Sequence, residues 1–236
     1  MLIVENLGAG YGNLQILNGI SLEAKPGEVT VIVGPNGSGK STLLKSISGL
    51  ATIFTGKIGL DGQDLTRRHP HDVAKMGIAY LPQTENVFTN LSVSENLRLA
   101  AYTVKSEHVK VRSKEIFDVF PQLSHYLNSK AMNLSGGERQ MLAMGMALIR
   151  KPSVLMFDEP TANLSPKLAA SVLTTIRDLA DMQLTLLLVE QNARRALEMG
   201  DKAYLLVNGK KNFEGSAKDL LEHKEIGRLY LGIKPV

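Results

Sequence analysis

The 236-residue chain has no cysteine and no tryptophan, and aromatic residues make up only 5% of it. Without cysteine, disulfides and thiolate metal centres are excluded, and the composition fits a reducing compartment. The five histidines show no zinc-ligand spacing; His69 and His71 flank Pro70 in what reads as a basic loop. Long apolar runs are missing too, since a stretch such as Leu186 to Val189 falls far short of the roughly 20 residues that span a bilayer. The start Met1-Leu2-Ile3-Val4-Glu5 lacks the basic region of a secretory signal, so a soluble, cytoplasmic protein is expected. A formal net charge of +4, with no interleaved basic and aromatic run, argues for a dispersed solvated surface and no nucleic-acid partner. At 44% hydrophobic residues, the chain can bury a sizeable core as one domain.

What is present is chemistry for phosphate. Gly34-Pro35-Asn36-Gly37-Ser38-Gly39-Lys40-Ser41-Thr42 fits the pattern G-x-x-x-x-G-K-[ST]. Val29 to Val33 reads as a buried strand before it, and Ser41 to Leu50 as a helix after it. The glycines let successive N–H groups face an anion, and the helix start adds its positive dipole end. Lys40 is placed to reach the β- and γ-phosphates, and the Ser41 hydroxyl to ligate Mg²⁺. A second buried strand, Val154 to Phe157, ends in Asp158-Glu159, where parallel α/β sheets place ligands. Asp158 can hold Mg²⁺ through a water, and Glu159 can polarise the attacking water and take its proton. ATP and Mg²⁺ are the ligands this pairing implies.

Leu134-Ser135-Gly136-Gly137-Glu138 carries a third signal. Ser135 with Glu138 three residues on is a capping box opening an apolar helix. Two consecutive glycines weaken a first helical turn by roughly 1 kcal/mol each, so room for a phosphate is the expected reason for them.

Together these residues resemble the ATP-binding subunits of ABC transporters, and the resemblance covers essentially the whole chain. Leu134 to Glu138 is similar to that family's signature motif, which implies that Ser135, Gly136, Gly137 and Glu138 cover the γ-phosphate held by a second cassette. The partners implied are a second ATPase subunit, as homo- or heterodimer, transmembrane permease subunits and a solute-binding protein, at the inner face of the membrane. The resemblance assigns Tyr11 to stacking on adenine, against the alternative of a cross-strand packing tyrosine. It assigns Gln83 to Mg²⁺ and the attacking water, against an exposed turn glutamine. Gln191 stands where the family carries its switch histidine, with helix capping as the alternative, and Ser165 where many members carry an aspartate.

Val189 to Ala193, Ser165-Pro166 and Tyr230-Leu231-Gly232 resemble one ATPase subunit of branched-chain amino acid importers. Leu81-Pro82-Gln83 and the segment Val87 to Leu97 are closer to lipopolysaccharide-exporter ATPases. A soluble ABC ATPase of the iron–sulfur assembly type is the alternative outside transport.

The implied fold class is α/β, a P-loop NTPase (RecA-like) core with antiparallel β and helical subdomains. Strands are expected at Leu2 to Asn6, Ile16 to Ala24, Val29 to Val33 and Lys57 to Leu60, so the antiparallel part lies mainly within residues 1–80. Residues 87–150 read as helical, with Ser92 or Ser94 as a cap, a helix over Lys105 to Phe120 and another over Gly136 to Arg150. From residue 153 strands and helices alternate again. Phe88, Val93, Leu97 and Leu99 are candidates to line a groove for the membrane partner.

Overall fold

A computed structural model describes residues 1–84 and 86–223. Tyr230-Leu231-Gly232 lies outside the described residues. The chain opens with β1 (Leu2–Tyr11), β2 (Leu14–Ala24) and β3 (Val29–Val33), followed by α1 (Lys40–Ile47), β4 (Thr52–Leu60) and β5 (Gln63–Asp64). After α2 (Pro70–Lys75) and β6 (Ile78–Leu81) come three α-helices, α3 (Val93–Ala100), α4 (Ser106–Val119) and α5 (Gly136–Leu148), with two short 3-10 turns between the last two. Alternation resumes with β7 (Val154–Asp158), α6 (Pro166–Asp181), β8 (Thr185–Val189) and α7 (Ala193–Met199). The described chain finishes with β9 (Lys202–Val207), β10 (Lys210–Ser216) and α8 (Ala217–Glu222).

Two sheets form. One runs β2-β1-β4-β5 and is antiparallel; the other runs β10-β9-β3-β8-β7-β6, parallel except at its β10 edge. The parallel sheet is a wall between two cores. Val31, Phe157 and Leu188 face one core with α5, α6 and α7, while Ile32, Met156 and Leu187 face the other with α1 and the antiparallel sheet. That two-sided burial is why β3, β7 and β8 are fully buried runs of mostly apolar residues rather than alternating ones.

Several boundaries differ from the sequence reading for tertiary reasons. β1 continues past Asn6 to Tyr11, and β4 begins at Thr52, because the two strands pair as far as Gly10 with Thr52 across register shifts. Tyr11 ends exposed beside the hairpin turn, opposite Leu14. The basic loop ends at His69, the N-cap of α2, while Pro70 fills the first helical position and His71 lies within the helix; the two rings stack 5.7 Å apart. Ser92, not Ser94, caps α3, in a capping box with Glu95.

The four groove candidates divide. Val93 and Leu97 belong to the core, whereas Phe88 and Leu99 are 52% and 47% exposed. Both buried side chains lie on the face of α3 turned to α5. No helix among the described residues is long and apolar enough to cross a membrane.

Candidate functional site

The carboxyl ends of four parallel strands converge. The loop after β3 carries Gly34 to Gly39, β7 ends in Asp158 with Glu159 beyond it, β8 leads into Glu190 and Gln191, and β6 leads through Pro82 to Gln83. A cavity of about 480 Å³ is lined there by Asn36, Gly37, Lys40, Ser41, Gln83, Glu159 and Gln191, among others.

The phosphate loop can only be built from glycine at two points. Gly34 has φ 149°, and a Cβ there would collide with the Leu206 carbonyl; Gly39 has φ 99°, and a Cβ would stand 2.6 Å from Leu17 Cδ2. Gly37, also left-handed at φ 75°, has open space around it, as an anion-facing backbone requires. The Lys40 ammonium donates to the carbonyls of Gly34 at 2.8 Å and Pro35 at 2.9 Å, which leaves its third N–H for a phosphate oxygen. Burial pulls the Lys40 pKa below its usual value, countered in part by the negative charges of Glu159 and Asp158. Ser38 Oγ is buried in the same loop without a hydrogen-bond partner among the described residues. Pro35 and Asn36 are exposed at its tip, while Thr42 is buried in the first turn of α1.

On the other side, Ser41 Oγ donates to Asp158 Oδ1 at 2.9 Å and the Tyr80 hydroxyl donates to Asp158 Oδ2 at 2.9 Å. Asp158 is only 5% exposed. A serine hydroxyl beside a carboxylate is the hard-oxygen pair that suits Mg²⁺, so the residues fit the ion that the phosphate loop implies. Burial, then the Asp158 charge, pushes the Tyr80 phenol above its usual range and keeps it a donor.

Glu159 sits at φ 50°, a left-handed conformation uncommon for a side-chain-bearing residue, held by its N–H on Val189 O at 2.9 Å. Its Oε2 accepts from Gln83 Nε2 at 3.0 Å, which brings together two residues 76 positions apart. Gln191 lines the same cavity and does not cap the following helix. Asn192 does, with its side chain accepting from Arg195 N at 3.2 Å. Tyr11 and the Ser135 segment are not among the residues lining this cavity.

Ser135 caps α5 in a reciprocal box: Glu138 N donates to its hydroxyl at 3.3 Å, and Ser135 N donates to Glu138 Oε2 at 2.7 Å. Hydrogen bonds from the Ser135 amide and hydroxyl, with a further one from Tyr126, hold the Glu138 carboxyl below its usual pKa. The two glycines have a reason within the chain that the sequence reading did not foresee. A Cβ on Gly136 would lie 3.2 Å from Leu164, and one on Gly137 2.9 Å from Leu168. The start of α5 thus packs closely against Leu164 and Leu168, and a larger residue at either glycine would make those leucine side chains shift. Ser165, in place of the family's aspartate, caps α6 by accepting from Leu168 N at 3.5 Å.

Two contributors escaped the sequence reading. Tyr80 is one. The other is Glu190, 3% exposed, whose Oε1 accepts from Thr161 N at 3.0 Å and so ties the segment after Glu159 to the segment carrying Gln191. A carboxylate closing an apolar strand, next to Gln191, was the available signal.

The ABC transporter family pattern matches residues 17–162. The chain is 55% identical over 234 residues, 99% of either chain, to an Archaeoglobus fulgidus protein named "Probable branched-chain amino acid transport ATP-binding protein LivF". It is 31% identical over 235 residues, 98% of this chain and 97% of the other, to the lipopolysaccharide export system ATP-binding protein LptB of Haemophilus influenzae. Its fold superposes with a TM-score of 0.87, at 29% identity and 97% coverage of both chains, on the ADP conformation of an ATP-binding cassette of an ABC transporter. A phosphate loop, a strand ending in Asp158-Glu159 and a whole-chain match of this kind make the protein a member of the ABC transporter ATP-binding family, an ATPase family.

Proposed function

We propose that this chain hydrolyses ATP to drive a branched-chain amino acid importer, working with a second cassette, permease subunits and a solute-binding protein at the inner face of the membrane. The observation that carries the substrate class is the 55% identity, over 99% of both chains, to a relative named for that transport. An exporter reading is favoured locally by Leu81-Pro82-Gln83 and Val87 to Leu97, but the exporter relative stands at 31% across the same length.

In this reading Lys40 and the N–H groups of Gly37 to Thr42 hold the β- and γ-phosphates of ATP. Asn36 and the exposed Pro35 shape the loop mouth, and Tyr11 supplies a face for adenine from its exposed hairpin end. Ser41, Asp158 and Gln83 would hold Mg²⁺, which when bound neutralises charge on the β- and γ-phosphate oxygens. Glu159 accepts the proton of the attacking water as its oxygen bonds to the γ-phosphorus and the bond to ADP breaks. Gln83, bonded to Glu159, orients that carboxylate, and Gln191 donates to the γ-phosphate. Ser135 to Glu138 face the ATP of the second cassette, so dimer closure and reopening deliver the stroke.

Reconstitution tests this. ATP-dependent leucine uptake is expected in vesicles holding the chain with its permease subunits and binding protein, and Lys40→Ala should abolish it by loss of nucleotide binding. Robust ATP hydrolysis without uptake of any branched-chain amino acid would contradict the substrate class. Purification with scaffold proteins in place of permeases would contradict the transport role.

A further inference from the structure

Tyr80 belongs to none of the motifs that define the nucleotide site, yet it holds one of the site's charged groups. Asp158 is buried, and each of its oxygens carries one hydroxyl: Ser41 on Oδ1 and Tyr80 on Oδ2, both at 2.9 Å. Two anchors on opposite oxygens fix the plane of the carboxylate, and hydrogen bonds to a charged acceptor are the strong ones. With Oδ2 committed to the phenol, Oδ1 is the oxygen turned toward Ser41 and so toward an ion held by Ser41. Tyr80 is itself rigidly placed, because it sits inside β6 in register with Met156 of β7, two residues before Asp158.

We propose that Tyr80 is a positioning residue for Mg²⁺: its hydroxyl aims Asp158, and so strengthens divalent-cation binding while touching neither nucleotide nor water. This rests on reading Ser41 and Asp158 as the metal side of the site. Outer partners of metal-binding carboxylates act by fixing their orientation, and their loss weakens the metal rather than the rest of the ligand. β6 also leads directly to Gln83, so the same strand positions Asp158 through Tyr80 and Glu159 through Gln83.

The test separates metal from nucleotide. Mn²⁺ binding to the ADP-bound protein is followed by electron paramagnetic resonance, and ADP affinity is measured by calorimetry in excess chelator, for wild type, Tyr80→Phe and Asp158→Asn. Tyr80→Phe is expected to weaken Mn²⁺ binding about tenfold while metal-free ADP affinity stays within about twofold. Mn²⁺ binding within about twofold of wild type in Tyr80→Phe, with Asp158→Asn clearly weakened, overturns the role of Tyr80 alone. Equal losses with and without metal would make the contact merely structural and also overturn it. Unchanged Mn²⁺ binding in Asp158→Asn would bring down the metal reading itself, and the role of Tyr80 with it.

Discussion

At the scale of single residues, the site rests on side chains whose roles follow from what they touch. Glu159 is pinned in a left-handed backbone with its carboxylate on Gln83, the arrangement expected of a base held ready for water. Glu159→Gln should keep ATP affinity while lowering turnover at least about a hundredfold, read by phosphate release beside a nucleotide-binding titration. Gln191→Ala should slow hydrolysis less than that, since a neutral amide makes only one ordinary hydrogen bond to phosphate. Wild-type turnover in Gln191→Ala would leave the amide no part in the reaction. Glu190 gives a pH signature. Burial holds its carboxyl above the ordinary 4.5, opposed by hydrogen bonds from the Thr161 hydroxyl and from the amides of Thr161 and Gln191. A raised folded pKa means that the protonated form favours folding: that contribution is complete below 4.5 and is lost as pH rises through the raised value. Glu190→Gln keeps an acceptor for Thr161 N and cannot ionise. Its melting temperature relative to wild type should therefore climb between about pH 4 and about pH 7, and a flat difference would contradict the burial effect.

At the scale of elements, the parallel strands and the phosphate loop were legible because both are local patterns. An apolar run of five residues, a glycine-rich turn and a helix start need no distant contact to be read. What escaped depends on pairs far apart in the chain. The Tyr80–Asp158 bond spans 78 residues, and no spacing rule links a strand tyrosine to a carboxylate on its neighbour. Helix capping by Gln191 stayed open in the sequence because the residue where a helix begins is not fixed by local pattern, and the fold gives the cap to Asn192. The packing of Gly136 and Gly137 was not legible, since Leu164 and Leu168 come beside them only in the folded chain. Asn96 was invisible for the same reason. It is fully buried in α3, accepts from Phe88 N at 2.8 Å and donates to the carbonyls of Phe88, Leu91 and Ser92. It anchors the loop from Phe88 to Ser92, so Asn96→Leu should cost about 2 kcal/mol, measured by urea unfolding, chiefly by leaving Phe88 N without its acceptor, since the three carbonyls keep the amides of Leu91, Ala131 and Asn96. A loss below about 0.5 kcal/mol would mean the loop finds other partners.

At the scale of the molecule, one chain carries one phosphate loop and one Ser135 segment, and the cavity around Lys40 is lined without that segment. Ser135 is exposed at the head of α5, with its N-terminal dipole end free to meet a phosphate on another chain. A capped, glycine-packed helix start facing outward is what a site shared between two cassettes needs from each of them. Blocking turnover should then trap the closed pair, while a bulky cation at the shared contact should prevent it. The most direct measurement is sedimentation velocity of Glu159→Gln with and without ATP, alone and with its companion cassette, repeated with Ser135→Arg added. The expected result is an ATP-dependent doubling of mass for Glu159→Gln that disappears in the double variant while each chain still binds ATP. A double variant that still forms the ATP-dependent dimer would contradict the shared site.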